Sequence, residues 1–185
     1  MTEKIAIIIF QVSWAFLLII AVSAQILFED KPKRQAGFVI NLLVITPFVI
    51  ALVWFYLRNY FGTFETTVAT RIIGIVLLVL GMIGYISSHF YLQKNWSLSA
   101  SIKEGHRLIK KGPYRFVRHP MYSSMLLVVL GSGLLIANYL IIIFTPIVGI
   151  AYYIRARKEE ALLREEFPEY EQYARGTKML IPCIL

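Results

Sequence analysis

The chain has 185 residues, of which 58% are hydrophobic and only 16% are charged, and its formal net charge is +8. So few polar residues cannot cover the surface of a soluble domain, and the same composition excludes intrinsic disorder. The single cysteine, Cys183, excludes a disulfide scaffold. We therefore predict an integral membrane protein with one domain over residues 1–185.

Five segments without Asp, Glu, Lys or Arg predict five membrane-spanning helices. They are residues 5–28, 37–57, 72–92, 121–137 and 139–154. A bilayer core of about 30 Å needs roughly 20 apolar residues in a helix, so the first three segments span it easily. The last two are shorter and are separated only by Asn138, which predicts a tight helical hairpin. The predicted fold class is all-α and polytopic.

The first segment also fits a second interpretation, a cleaved signal peptide. Lys4 precedes the apolar run, and the Val-Ser-Ala sequence at residues 22–24 resembles a small-residue cleavage site. The run is longer than the roughly 7–15 apolar residues of a signal-peptide core. We therefore favour a membrane helix.

Basic residues concentrate in the loop after the first predicted helix, in the long loop after the third, and in the C-terminal tail. Of the 19 basic residues, only Lys4, Arg58 and Arg71 lie elsewhere. The positive-inside rule then places these three regions in the cytoplasm and the N-terminus outside. Because this asymmetry accounts for the positive charge, the sequence does not indicate a nucleic-acid partner.

The chain changes character at about residue 92. Residues 1–92 are almost entirely apolar helix, whereas residues 93–185 contain the polar and aromatic residues at the cytoplasmic ends of helices. Gly-rich phosphate loops, H-E-x-x-H motifs and Cys pairs are absent from the sequence, so we predict no metal site and no Rossmann-type cofactor site.

Three short motifs follow the third predicted helix: Gly-His-Arg-Leu at 105–108, Lys-Gly-Pro-Tyr at 111–114 and Arg-His-Pro-Met-Tyr at 118–122. The Gly-Pro pair predicts a turn, and Pro120 predicts the first residue of the fourth helix. One interpretation is a pocket for a polar, aromatic-containing small molecule, lined by His106, Tyr114, His119 and Tyr122. The alternative is that these residues are interfacial anchors, beside basic residues that contact lipid headgroups.

A second polar cluster covers residues 155–167, which predict an amphipathic helix continuing the fifth span out of the membrane. Arg155 and Glu159 are one turn apart and share a face at the bilayer boundary, where an ionisable residue is a candidate functional group. For the other charged residues of this helix we favour a solvated face: Glu160, Arg164, Glu165 and Glu166.

The ordered motifs G-H-R-L, K-G-P-Y, R-H-P-M-Y and R-x-x-x-E-E resemble the isoprenylcysteine carboxyl methyltransferase family over residues 95–173. Members of that family are integral membrane enzymes that methylate with S-adenosylmethionine, bound in a pocket at the cytoplasmic end of a helical core. The resemblance implies catalytic roles for Glu159 and for Arg155, which would hold a substrate carboxylate. It implies cofactor contacts from His106, Arg107, Leu108, Ile109, Tyr114, His119, Pro120, Met121, Tyr122 and Glu159.

The chain departs from the family pattern at three places. Ser124 replaces a frequent glycine, Ser99 lies where eukaryotic members have a cofactor-contacting glutamine, and the late aromatic motif at 167–173 is one residue shorter. These departures concern the shape of the pocket and the substrate more than the cofactor.

The resemblance implies O-methylation of a carboxylate on a lipid-modified, isoprenylcysteine-like or otherwise apolar acceptor, and the chemistry supports a carboxylate. A carboxylate is already ionised at pH 7, so it needs a cation such as Arg155 rather than a general base. One alternative is an amine N-methyltransferase of phospholipids, with Glu160 as proton acceptor. Two others are an NAD(P)H-dependent membrane reductase sharing the R-H-P-x-Y ending and a non-enzymatic protein whose basic loop contacts lipid.

Overall fold

The structure, a computed structural model, describes residues 3–27, 32–35, 49, 64–96, 101–103 and 105–181. The described helices are α1 (Glu3–Leu27), α2 (Val68–Leu92), α3 (Pro120–Leu135), α4 (Tyr139–Glu166) and α5 (Tyr170–Gly176). Two 3₁₀ turns cover Gln93–Asn95 and Gly112–Arg115, and two short strands, β1 (Pro32–Gln35) and β2 (Ser101–Lys103), form an antiparallel pair. The all-α prediction is confirmed for the long elements.

Three described helical stretches are long and apolar enough to cross a membrane: Glu3–Ser23, Val68–Asn95 and Tyr139–Glu166. Helix α3 is apolar but shorter. The first, third, fourth and fifth predicted segments are thus helices, and the second, residues 37–57, lies outside the described residues. Helix α4 continues through the predicted amphipathic segment without a break.

Helices α3 and α4 form the predicted hairpin, and Asn138 makes the turn between them. Its side-chain Oδ1 accepts a hydrogen bond from the backbone N–H of Ile141 at 3.2 Å, which caps the start of α4. Its own backbone N–H donates to the Gly133 carbonyl at 2.9 Å. Asn138 is fully buried, so these bonds satisfy polar groups that water cannot reach.

Helices α2 and α3 pack with their backbones close together. The buried face of α2 repeats at helical spacing and is rich in small residues: Gly74, Leu78, Gly81, Tyr85 and Ser88. A Cβ atom added at Gly131 of α3 would lie 2.6 Å from the backbone nitrogen of Leu78, which no real side chain can do. Glycine at the crossing therefore permits the close approach that membrane helices use for packing.

Helix α1 packs one apolar face against the rest of the protein and exposes the other. The buried positions recur every three or four residues: Ala6, Phe10, Trp14, Leu17 and Ala21. The indole Nε1 of Trp14 donates a hydrogen bond to Ser132 Oγ of α3 at 3.1 Å. Ile8, Val12 and Ile19 on the other side are exposed, as expected of a surface in contact with lipid.

The strand pair joins two loops that are distant in sequence. Pro32 pairs with Lys103 and Gln35 pairs with Ser101. Both loops are predicted to be cytoplasmic, and their pairing puts them on the same side of the molecule. The sequence does not predict these strands, since segments of three and four residues are too short for a periodic pattern.

A C-terminal segment, residues 177–180, lies across the N-terminus of α3. Lys178 forms an isolated parallel bridge with Val117, and its carbonyl accepts a hydrogen bond from the Arg118 N–H at 2.8 Å. The carbonyl of Met179 accepts from the His119 N–H at 3.0 Å, and Ser123 Oγ donates to the Leu180 carbonyl. The C-terminal segment and the start of α3 are therefore one unit.

Candidate functional site

His119 is the N-cap residue of α3, as predicted, and Pro120 is the first helical residue. Its carbonyl accepts hydrogen bonds from the N–H groups of Tyr122 and Ser123, at 3.1 and 3.2 Å. The imidazole ring is buried and stacks on the Tyr122 ring, with centroids 5.6 Å apart. Tyr122 in turn stacks on Tyr152 of α4 at 4.7 Å. A column of three aromatic rings thus joins the hairpin helices at the site.

Glu159 of α4 is held by three side chains. Its Oε1 accepts from the Tyr122 hydroxyl at 2.5 Å and from Arg155 Nε at 3.0 Å, and its Oε2 lies 3.4 Å from His119 Nδ1. A carboxylate has about four lone-pair sites, so these three donors leave Oε2 able to accept one more hydrogen bond. The Glu159 side chain is 22% exposed, in contrast to the neighbouring Glu160 at 0%.

Arg155 and Glu159 meet on one face of α4, as their spacing predicts. The Arg155 Nε also donates to the Tyr122 hydroxyl at 2.6 Å. Arg155 is only 1% exposed, and a buried cation of this kind requires compensating negative charge. Glu159 supplies that charge, so the two residues form one ionic unit on α4.

Glu160 is buried, although the sequence favoured a solvated face for it. Its side chain is fully buried, and its Oε1 pairs with Arg118 Nε at 2.6 Å. Its Oε2 accepts from Arg164 Nη2 at 3.2 Å. Arg164 also donates through Nε to Glu171 of α5 at 2.7 Å, so it belongs to the same ionic network. The prediction is wrong for Glu160 because the loop before α3 and helix α5 cover that part of α4.

Arg118 connects Glu160 to the C-terminal part of the chain. Its Nη1 donates to the carbonyl of Ala174 at 3.0 Å and to the carbonyl of Thr177. A guanidinium presents several donors in a fixed plane, which suits it to hold a carboxylate and two carbonyls together. Arg118 is the first residue of the Arg-His-Pro-Met-Tyr motif, but the local sequence does not predict that it holds Glu160 and these two carbonyls.

The His119 ring lies between two carboxylates. Its Nδ1 is 3.4 Å from Glu159 Oε2, and its Nε2 is 3.4 Å from Glu160 Oε1. Burial by itself lowers the pKa of His119, but hydrogen bonding and electrostatic attraction from Glu159 and Glu160 outweigh burial. The pKa of His119 is therefore raised above its ordinary value, which favours the charged imidazolium.

Tyr114 lies beside this cluster, at the end of the 3₁₀ turn. It is buried, and its carbonyl accepts a hydrogen bond from the Tyr173 hydroxyl at 2.6 Å. Burial, followed by the negative charge of Glu159, raises the pKa of Tyr114. His119, Tyr122 and Glu159, which the sequence identifies separately, are therefore in contact in the fold, and Tyr114 lies within the electrostatic influence of Glu159.

The remaining predicted site residues divide between the loop and helix α3. The His106 ring lies 5.9 Å from the Phe167 ring, and the Arg107 N–H donates to Asn95 Oδ1 at 2.9 Å. Arg107 is exposed, and Leu108 and Ile109 are half-buried, while Pro120 and Met121 are buried at the start of α3. Contacts between these residues and a cofactor stay a prediction.

Residues 69–170 match the family model described as phospholipid methyltransferase. The cobalt-zinc-cadmium resistance protein CzcN of Cupriavidus metallidurans is 30% identical over 144 residues, which cover 75% of this chain and 61% of CzcN. A probable protein-S-isoprenylcysteine O-methyltransferase of Oryza sativa is 36% identical over 84 residues, 44% of each chain. The protein-S-isoprenylcysteine O-methyltransferase of Schizosaccharomyces pombe is 28% identical over 152 residues, 79% of this chain and 58% of that enzyme.

These comparisons confirm the resemblance that the motifs indicate. The chain spans 61%, 44% and 58% of the lengths of the three relatives, so the similarity covers part of each of them. The matched region contains all of α2 but its first residue, all of α3 and α4, and the side chains that contact Glu159. Together with the membrane-type helices, a match over more than half of its residues shows that the chain belongs to the phospholipid methyltransferase family of membrane proteins.

Proposed function

We propose that this protein is an integral membrane methyltransferase that uses S-adenosylmethionine and methylates a carboxylate on a lipid-modified or otherwise apolar acceptor. The observation that carries the proposal is the Glu159 carboxylate. It is partly exposed, and Tyr122, Arg155 and His119 hold it in one orientation at the membrane boundary. Such preorganisation is typical of a group that binds a ligand rather than of a solvated surface carboxylate.

The residues around Glu159 have the chemistry needed to bind S-adenosylmethionine. A partly exposed carboxylate can accept hydrogen bonds from an ammonium group or from ribose hydroxyls. The loop at 105–111 provides the basic side chain of Arg107 for the cofactor carboxylate, and the half-buried Leu108 and Ile109 offer apolar surface to an adenine ring. These residues, with Tyr114 and the start of α3, would hold the cofactor, which supplies an activated methyl group on a sulfonium.

Arg155 is the group suited to hold the acceptor. Its guanidinium is 1% exposed and paired with Glu159, so we propose that it becomes accessible when the acceptor binds and that its N–H donors then hold the acceptor carboxylate. Since that carboxylate is ionised at pH 7, the protein has to orient it and exclude water rather than remove a proton. Holding the nucleophile in line with the methyl carbon is then the main catalytic contribution of the chain.

The membrane location explains how an apolar acceptor reaches this site. The described helices expose large aliphatic side chains along their outer faces, which is typical of contact with lipid tails. An acceptor tail would remain among the lipids while its head enters at the helix ends. We propose that these ends face the cytoplasm of a prokaryotic cell and that the N-terminus lies outside, as the distribution of basic residues predicts.

The first test is a calorimetric titration of the purified protein in detergent with S-adenosylhomocysteine. We expect binding by the wild-type protein and by Glu169→Gln, a charge-neutralising change at an exposed position, and strong loss of binding by Glu159→Gln. Folding of each variant is checked by its thermal transition. A folded wild-type protein that binds no S-adenosylhomocysteine would refute the proposal.

Methylation of an amine is the second candidate, because the matched family model is described as phospholipid methyltransferase. Glu160 cannot accept the amine proton as the sequence suggested, since it is fully buried in ion pairs with Arg118 and Arg164. Glu159 would have to take that role. The assay uses cofactor with a labelled methyl group and membrane lipid extracts. A product that releases volatile label in mild alkali is a methyl ester, whereas alkali-stable label is an N-methyl amine.

A further inference from the structure

The imidazole of His119 contacts a carboxylate at each of its two nitrogens. Neutral imidazole carries one N–H, so it can donate to one carboxylate and would present a lone pair to the other. Ionised carboxylates are acceptors only, and the two distances to His119 are equal at 3.4 Å. Nε2 has no well-aligned hydrogen-bond partner, so its contact with Glu160 is a charge contact rather than a hydrogen bond. Two carboxylates against one ring therefore favour the imidazolium through their charge.

The two carboxylates have different surroundings. Glu159 is partly exposed and available to a ligand, whereas Glu160 is fully buried and cannot touch one. The charged groups around the ring are Arg118 before α3, which pairs with Glu160, and Arg155 on α4, which pairs with Glu159.

Uncharged groups complete the surroundings of the ring. Tyr122 stacks on it, and the C-terminal segment contributes the Met179 carbonyl, which accepts from the backbone N–H of His119. Tyr170 of α5 is buried on the side of Glu160, and burial and then the charge of Glu160 raise its pKa. Tyr170 therefore stays uncharged near neutral pH, and Glu159 and Glu160 are the anions that face His119.

We propose that Glu160 is a positioning residue of the site: it keeps His119 as an imidazolium, whose other N–H fixes the orientation of the Glu159 carboxylate. This proposal rests on the proposed function, because it takes Glu159 as the ligand contact. A neutral His119 has one N–H, which could lie on either nitrogen, so it would donate to Glu159 only part of the time. Binding at Glu159 then depends on a proton held on His119 and, through that proton, on the buried charge of Glu160.

The first experiment measures the protonation of His119 without any cofactor. The chain has three histidines, so ¹⁵N-histidine labelling gives three pairs of imidazole signals, and the His119 pair is identified by its absence in His119→Gln. We expect wild-type His119 to carry protons on both nitrogens at pH 7.5. In Glu160→Gln the titration midpoint should fall by about one pH unit or more, because an opposite charge in contact has been removed. The control Glu169→Gln should titrate as the wild type.

The second experiment measures S-adenosylhomocysteine binding to the same variants at pH 6 and pH 8. Glu160→Gln should bind nearly as well as the wild type at pH 6, where its His119 is still protonated, and roughly tenfold more weakly at pH 8. A purely structural role for Glu160 would weaken binding equally at both pH values, and that result would overturn the proposal.

The two experiments separate this proposal from the proposed function. A wild-type protein that binds no S-adenosylhomocysteine refutes the function, while the histidine titration still tests the coupling between Glu160 and His119. If Glu160→Gln does not fold, the wild-type spectrum decides alone. A neutral His119 at pH 7.5 overturns the proposal, and a doubly protonated ring supports it.

Discussion

The hydroxyl of Tyr122 offers a direct test of how the site is held. It donates to Glu159 Oε1 at 2.5 Å and accepts from Arg155 Nε at 2.6 Å, so it bridges the two charged residues. Tyr122→Phe removes this bridge and keeps the aromatic ring, which stacks on His119 and Tyr152. The substitution therefore changes hydrogen bonding with little change in packing.

The magnitude follows from the number of bonds that are lost. A hydrogen bond to a charged group contributes about 1.5–3 kcal/mol, and the hydroxyl takes part in two. Arg155 and Glu159 keep their direct bond at 3.0 Å, which compensates part of the loss. We expect Tyr122→Phe to lower the free energy of unfolding by about 2 kcal/mol. Affinity for S-adenosylhomocysteine should fall about tenfold, since the Glu159 carboxylate is less firmly oriented.

The assay is equilibrium unfolding in mixed detergent micelles, together with calorimetric titration of S-adenosylhomocysteine. Tyr153→Phe on α4 is the matched control, because Tyr153 is exposed. It should leave both the free energy of unfolding and the affinity unchanged within error. If Tyr122→Phe were as stable and bound as tightly as Tyr153→Phe, the bridging hydroxyl would have no role in holding Glu159.

Three further predictions concern packing, the loop and orientation. Gly131→Ala should reduce the thermal stability of the purified protein clearly more than Gly149→Ala, since only the first added methyl would meet the α2 backbone. Gly112→Ala should lose about 1 kcal/mol or more, measured by the same unfolding assay, because Gly112 has a φ of 60° and a Cβ there would overlap the Tyr91 ring. In a Cys183→Ser background, a cysteine replacing Lys178 should react with an impermeant maleimide only after the cytoplasmic side is opened; labelling in intact cells would contradict the orientation.

Hydropathy locates the four apolar helices that the structure describes, because a bilayer imposes a length requirement on each span. Helix α2 begins at Val68, earlier than the predicted residue 72, because charged residues such as Arg71 can belong to a helix at the membrane surface. Arg71 Nε donates to Thr66 Oγ1 at 2.8 Å, which gives that N–H a partner just before the helix. A span defined as a segment without charged residues is therefore located correctly, but its helix is longer than predicted.

The candidate site could be predicted only where its residues share a local pattern. Arg155 and Glu159 are one helical turn apart, and His119 and Tyr122 lie in one short motif, so spacing alone brings each pair together. The pairing of Arg118 with Glu160 joins residues 42 positions apart, and no periodicity indicates it. Only the packing of the loop, α4 and α5 shows that Glu160 is buried rather than solvated.

The need to compensate a buried charge explains why two arginines surround Glu160. A buried carboxylate such as Glu160 is costly unless cations pair with it, and Arg118 and Arg164 meet that requirement. Arg118 also bonds the carbonyls of Ala174 and Thr177, so the same cation fixes the chain that covers the start of α3. The ionic groups that would hold His119 in place thus also stabilise the C-terminal fold. Any variant in this network has to be compared by ligand affinity and by stability together, because a loss of affinity alone would not separate the two roles.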